Sequence, residues 1–301
     1  MATEQALSAL HEAIRNDSFL NSASLEPLIV IKTLEAFEGK VPKALTALKN
    51  YAIWHKETLG HQSKRISIVH IHAFLLAGVF CFLPNVTGHD GRPITLYRAY
   101  KDRAGSIPKQ HYANFCMWMS SYYLQEFGSI NDSFFLNLDG FKFSCFRPSN
   151  YKVMADAQNG FPIKLTNATL VAFHASKTTK RVWDAIYKQL KDIEYTVHFI
   201  DKDQVSKFVD PAKVPVDFGG LVSLADSDAN MEEFIRDQYA REGIRYEPID
   251  VSEINWKTYK IPDVDLSVRP ESAMSVSSNI DFDKIDAQVE AMGLGNEEHD
   301  A

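Results

Sequence analysis

Residues 94–141, ITLYRAYKDRAGSIPKQHYANFCMWMSSYYLQEFGSINDSFFLNLDGF, decide the fold. The stretch opens and closes on short runs rich in β-branched and aromatic residues, ITLYRAY (94–100) and FFLNLDGF (134–141), which read as strands. Between them residues 109–127 read as a helix. A strand, a helix and a strand in this order imply a crossover connection and parallel pairing, because antiparallel neighbours need only a short turn. Two more strand candidates follow, IKLTNATLVAF (163–173) and YTVHFI (195–200), with helix candidates at 148–158 and 177–191 in the gaps. The fold class is therefore α/β, a mostly parallel sheet with helices packed on it.

Upstream, residues 1–65 read as a helical unit, with Leu7, Leu10 and Ile14 on one face and Leu45, Leu48, Tyr51 and Ala52 on another; Pro42 fits a helix start. Residues 66–83, ISIVHIHAFLLAGVFCFL, approach membrane-spanning length. They read as buried within the fold, since His70 and His72 are costly in hydrocarbon and the run ends at Pro84 before the turn NVTGHDGRP. Downstream, PDVDLSVRPESAMSVSSN (262–279) is rich in Ser, Asp and Pro, and only FDKIDAQVEAMGL (282–294) after it suggests a helix. The reading thus divides the chain into a helical unit (1–65), a main unit (66–262) and a mobile acidic tail (263–301).

Composition narrows the function. Hydrophobic residues are 45% and charged residues 24% of 301, the balance of a packed globular chain. A net charge of -7 argues against a broad nucleic-acid surface. Cys81, Cys116 and Cys145 are too few and too scattered for a disulfide framework or a zinc site, and the N-terminal MATEQALSALHEAIRND resembles no export signal. A cytoplasmic protein without a cofactor is expected.

Neither a glycine-rich phosphate loop nor a G-x-S-x-G elbow follows any strand candidate. His174 reads as a strand-end histidine and Asp139 as part of an Asp-Gly turn. His70 and His72, two apart, would not share a helix face and have no third ligand for a metal. An enzyme is not expected.

Two segments stand out instead. In SKTTKRVWDAIYKQLK (176–191), Val182, Trp183, Ile186, Tyr187 and Leu190 gather on one side of a helix, and Lys177, Arg181, Lys188 and Lys191 gather on the other. Five basic residues face Asp184 alone there, a pattern suited either to an anionic membrane or to an ordinary solvated face. YANFCMWMSSYYLQEF (112–127) is apolar around most of its circumference, and its Met117, Trp118, Met119 and Tyr122 would fill a solid core or wall a cavity equally well.

The order of five segments resembles the CRAL-TRIO family, most nearly its α-tocopherol and retinaldehyde carriers. They are KALTALKNYAIWHKE (43–57), LLAGVFCFLPNVTGHDGRPITLYR (75–98), FFLNLDGFKFS (134–144), FPIKLTNATLVAF (161–173) and VHFIDKDQVSKFVDPAKVPVDFGG (197–220). The resemblance implies a lipid pocket on one face of the sheet, closed by a mobile helix that corresponds to 177–191. It implies pocket contacts from Cys116, Ser120, Leu136, Phe143, Val153, Ala157, Phe161 and Ile163, with Trp183 and Ile186 on the lid and Ser120 as the polar handle. It also implies contact with anionic membranes, phosphoinositides among them, at Lys164; the family's other basic positions are here Leu34-Glu35-Ala36-Phe37 and Ile193-Glu194-Tyr195-Thr196, and Lys177, Lys180 and Arg181 at the start of the lid are the expected substitutes. The expected activity is transfer of a tocopherol-, retinoid-, carotenoid- or phospholipid-like molecule between membranes by a monomer that visits them transiently. The competing expectation is a non-transporting lipid sensor or adaptor that works through its acidic C-terminal tail.

Overall fold

The computed structural model describes residues 4–23, 25–59, 66–102, 107–140, 148–166, 168–181 and 195–260. Five strands, β1 (Phe80–Thr87), β2 (Pro93–Arg98), β3 (Ser133–Asn137), β4 (Ala168–Phe173) and β5 (Tyr195–Ile200), lie side by side in chain order. β1 runs antiparallel to β2, with Phe80 opposite Tyr97 and Phe82 opposite Thr95, and the other pairs are parallel. The mixed, mostly parallel sheet is the one expected. β1 was not: the apolar run 66–83 does not stop at Pro84. Its helix α5 (His72–Ala77) ends on Gly78 in the left-handed conformation, and the chain turns into a strand that continues through Pro84 to Thr87. β4 is shorter than the run 163–173, beginning only at Ala168. Among the described residues no helix is long and apolar enough to cross a membrane.

Chain order equal to spatial order has a geometric consequence. Right-handed crossovers that always step in one direction put all their helices on one face of a sheet. Here α6 (Lys109–Phe127) links β2 to β3 and α7 (Pro148–Gly160) links β3 to β4. A helical stretch over 177–181 begins the third connection. Side chains alternate along each strand, so Phe80, Phe82, Thr95, Tyr97, Phe134 and Leu136 point to the helix side while Cys81, Leu96, Arg98, Phe135 and Asn137 point away.

The opposite face needs its own cover, and a run of 3-10 turns supplies it: Lys202–Lys207, Pro211–Lys213 and Val216–Phe218. Phe208 meets Phe135 at 6.4 Å and Phe218 meets Phe173 at 5.7 Å between ring centroids. The run folds back tightly at Gly219, where φ is +83° and a Cβ would lie 2.1 Å from the Lys202 carbonyl oxygen. Only glycine fits there.

At the amino end, α1 (Glu4–Asn16), α2 (Ser18–Ser22), α3 (Pro27–Ala36) and α4 (Val41–Leu59) pack on a second core built on Leu10, Leu20, Ile29, Leu34 and Leu48, which Leu124, Phe161 and Leu165 of the main body join. Asp17 caps α2 by accepting from the backbone N–H groups of Phe19 and Leu20. Trp54 also touches the main body, its ring so close to Gly160 that a Cβ there would sit 2.3 Å away. At the carboxyl end of the described chain, α8 (Leu224–Arg241) crosses β1, and residues 244–260 form a strap without regular structure.

Candidate functional site

The helix side of the sheet is unevenly covered. At the β1 end it is densely filled with aromatic rings: Phe82 meets Phe234 of α8 at 4.8 Å and Tyr122 of α6 at 5.4 Å, and Phe80 meets Tyr97 at 4.7 Å. Further along, Phe134 is only half-buried, although its strand has a neighbour on each side and its ring stacks on Phe80 at 5.9 Å. Met154 of α7 and Leu138, Val197 and Phe199 are likewise half-buried and pack against the same core. A central strand residue on a helix-covered face is ordinarily sealed. The partly uncovered apolar surface around Phe134 marks the candidate site.

Helix α6 forms one wall. At 100° per residue, Tyr112, Met119 and Tyr123 face the sheet, where Tyr112 Oη donates to Asp102 at 3.2 Å and Thr95 Oγ1 lies 3.3 Å from Met119 Sδ and 3.0 Å from Tyr123 Oη. Ala113, Met117 and Leu124 lie along the side next to α7. Cys116 and Ser120, one turn apart, fall between these rows, in the wedge where sheet, α6 and α7 meet. Both are buried, and the Ser120 hydroxyl has no hydrogen-bond partner among the described residues, whereas the neighbouring hydroxyls of Thr95 and Tyr123 do.

Beneath this wedge sits a carboxyl group. Asp132 immediately precedes β3, is buried, and accepts a short hydrogen bond from Thr95 Oγ1. Burial pushes its pKa up to about 6, with the Thr95 hydrogen bond opposing. Burial raises the Cys116 thiol, and the Asp132 charge raises it further. Cys116 is therefore an inert thiol, close enough to Asp132 to feel it.

The expected lining residues divide between two places. Cys116, Leu136 and Ala157 belong to the main core. Val153 is buried on α7, at i and i+4 with Ala157. Phe161 and Ile163 instead belong with the N-terminal helices, Phe161 meeting Tyr51 edge-on at 5.5 Å. Phe143, Trp183 and Ile186 lie outside the described residues. So do the rest of the lid segment from 182 to 191 and the tail from 263.

The basic residues are exposed. Lys164 donates to the Asn159 carbonyl at 2.9 Å. Lys177, Lys180 and Arg181 have no ion-pair partner among the described residues, and Lys180 Nζ stands 5.2 Å over the ring of Phe199. The segment that starts the third crossover therefore sits against the helix-side edge of the sheet, beside Phe199.

Other residues singled out in the sequence have structural roles. His72 is buried, with Nδ1 3.0 Å from Tyr239 Oη, and His70 Nδ1 accepts from the Ser67 backbone N–H at 2.9 Å. Among the described residues no group of three His, Cys, Asp or Glu is placed to hold a metal ion. Asp139 and Gly140 form a turn, and His174 is exposed with a φ of +59°. Phe134 was overlooked but was within reach, since it stands two residues before Leu136 on the same strand and shares its face. Asp132 carried no such signal, being one of several polar residues in a loop.

Residues 76–220 match the family model of the CRAL/TRIO domain, a match that takes in the sheet, α6 and α7 and the 3-10 run. No curated protein matches the chain. The match supports binding or transfer of a hydrophobic ligand as the general activity, and the partly uncovered face lies inside the matched span.

Proposed function

We propose that the chain binds one hydrophobic molecule between the helix side of its sheet and helices α6 and α7, and carries it between membranes. Cys116, Ser120, Leu136, Val153 and Ala157 wall the site, with Phe134 as its floor. Phe143, Trp183 and Ile186 complete it, and Phe161 and Ile163 support the far end of α7 against the helical unit 1–65. The observation that carries this reading is the half-buried Phe134 on the central strand of the helix-covered face.

Energetics explain why a carrier needs a door. Each buried CH₂ contributes about 0.8 kcal/mol, so a cargo with roughly a dozen of them gains on the order of 10 kcal/mol before ordering costs. Release into water is then slow, and transfer requires a route that keeps the cargo out of bulk solvent. Segment 177–191 is the proposed lid. Its apolar side would enter the bilayer, while Lys177, Lys180 and Arg181 meet anionic headgroups, phosphoinositides included, with Lys164 alongside. Among the described residues the three lid cations have no ion-pair partner, which supports this role.

The test replaces Lys177, Lys180 and Arg181 with Glu and follows lipid transfer between anionic vesicles. Transfer is expected to slow by about ten-fold or more, given roughly 1 kcal/mol per basic residue near an anionic surface. Equilibrium cargo affinity should stay near that of the parent protein. An unchanged transfer rate removes the lid from the account.

A further inference from the structure

We infer that Trp54, a side chain of the amino-terminal helical unit, is the end wall of the cargo site and sets the length of chain that the site accepts. This rests on the proposed binding role and adds to it a length-determining residue that lies outside the matched span 76–220.

Both helical walls of the site end on the helical unit. The carboxyl end of α6 comes shortly before β3 and that of α7 shortly before β4, so both lie at the amino ends of the strands. There α3 touches α6 and α4 touches α7. Leu124 of α6, Ile130, Phe161, Leu165 and Ala168 accordingly belong to the second core. At this end the space between α6 and α7 is closed by the helical unit, whose own residues do not come from the sheet or its crossovers.

Trp54 stands at the closure. Among the described residues it is the one side chain that packs against both cores. It is half-buried, and its ring meets Tyr51 at 6.3 Å, which in turn meets Phe161 at 5.5 Å. On α7 the ring reaches Gly160, which continues the row of Val153 and Ala157 at i, i+4 and i+7, one face of the helix. The first two members of that row wall the site, and the ring lies across its end.

The seat is specific. Gly160 is not one of the glycines with positive φ, so its backbone conformation is open to any residue. What excludes other residues is the ring itself, since a Cβ would lie 2.3 Å from Trp54 Cδ2 and 2.6 Å from Cε2. Glycine here lets a flat, rigid apolar side chain lie against the helix backbone. A cargo chain that runs along Val153 and Ala157 stops at that ring.

The test offers radiolabelled methyl myristate, methyl stearate and methyl behenate, uncharged single chains that differ only in length, to the full chain from neutral vesicles. The readout is the ratio of behenate to stearate affinity. Trp54→Ala should raise this ratio at least about ten-fold, because each further CH₂ admitted to an apolar site is worth roughly four-fold. Trp54→Leu keeps an apolar contact with Gly160 and should raise it by a smaller factor, which secures the test if the alanine variant folds poorly. Gly160→Ala should change the ratio by displacing the ring, and should leave it unchanged in the Trp54→Ala background. Leu10→Ala, on α1 in the same second core, is the control: it should lower the melting temperature without moving the ratio. A ratio that stays constant in both Trp54 variants overturns the inference and leaves the binding role intact, as does an equal shift in Leu10→Ala. Failure of all three esters to bind the parent chain overturns the binding role itself, and this inference with it.

Discussion

The two faces of the sheet are made from the same strands and differ in how they are finished. On the face away from the helices, Phe135 is fully buried, Phe208 and Phe218 close over it and Phe173, and Arg98 is locked to Asp217 by a 2.7 Å ion pair. Arg98 also donates to Cys81 Sγ at 3.0 Å, and Asn137 Nδ2 donates to the Asp217 carbonyl at 2.7 Å. On the helix face the next residue along, Phe134, is half-buried. One face is closed by its own aromatic cover, although Arg98 Nη2 and Asp217 Oδ1 lack hydrogen-bond partners among the described residues. The other leaves an aromatic ring of its central strand partly uncovered.

The sharpest way to break this contrast is at Asp217. Removing its carboxylate with Asp217→Ala strands the buried Arg98 guanidinium and should cost about 3–5 kcal/mol in chemical denaturation. A loss under 1 kcal/mol would mean that the 3-10 run is not anchored by this pair. The adjacent phenylalanines give a matched comparison. Phe135→Ala should cost about 3–5 kcal/mol, as for a fully buried ring. Phe134→Ala should cost roughly 1–2 kcal/mol, because part of its surface is already uncovered. Equal losses at the two positions would remove the distinction between the faces.

A third prediction concerns pH. His72 and His111 are buried, and burial lowers both pKa values to about 4, with Glu232 partly opposing at His72. Both ring nitrogens of His111 lack hydrogen-bond partners among the described residues, and Trp256 and Tyr259 of the strap cover the ring at 5.2 and 5.7 Å. The unfolded chain takes up these protons near pH 6.5 and the folded chain only near 4. Their contribution to stability is therefore present above about pH 6.5 and lost as pH falls toward 4. Asp132, whose pKa is raised, works in the opposite direction over an overlapping range, gaining stability as pH falls through about 6. His111→Phe keeps the ring stack and removes one titrating group. Its melting temperature should fall less between pH 6.5 and 4 than that of the parent protein, and parallel curves would contradict the assignment.

Much of the fold was legible because its periodicities are strong. The helix read at 109–127 and the strand read at 195–200 coincide with α6 and β5, since a cluster of aromatic residues closed by Gly128 and a β-branched run leave few alternatives. β1 was hidden because Pro84 reads as a stop. The ladder tolerates it on an edge strand, where the register already shifts between Phe82 and Thr87. α8 was passed over because LADSDANMEEFIRDQYAR is mostly polar and its buried residues, Met231, Phe234, Ile235 and Tyr239, are sparse. At the site, Cys116 and Ser120 followed from family resemblance, not from the residues themselves. Phe161 shows the limit of that route: an FP pair says nothing about which of two cores it joins, and contact with Tyr51 settles that. Asp132 became visible only when the fold brought it under Thr95 and near Cys116, two segments far away in the chain.

The central claim is that the helix face of the sheet encloses a hydrophobic molecule, and native mass spectrometry of the full chain as purified from cells tests it most directly. The account predicts a one-to-one adduct of lipid mass, removed by organic extraction and restored by adding the extract back, and lost preferentially in Phe134→Ala over a conservative change at Phe135. A spectrum showing only the bare chain, unchanged when lipid extract is added, would contradict it.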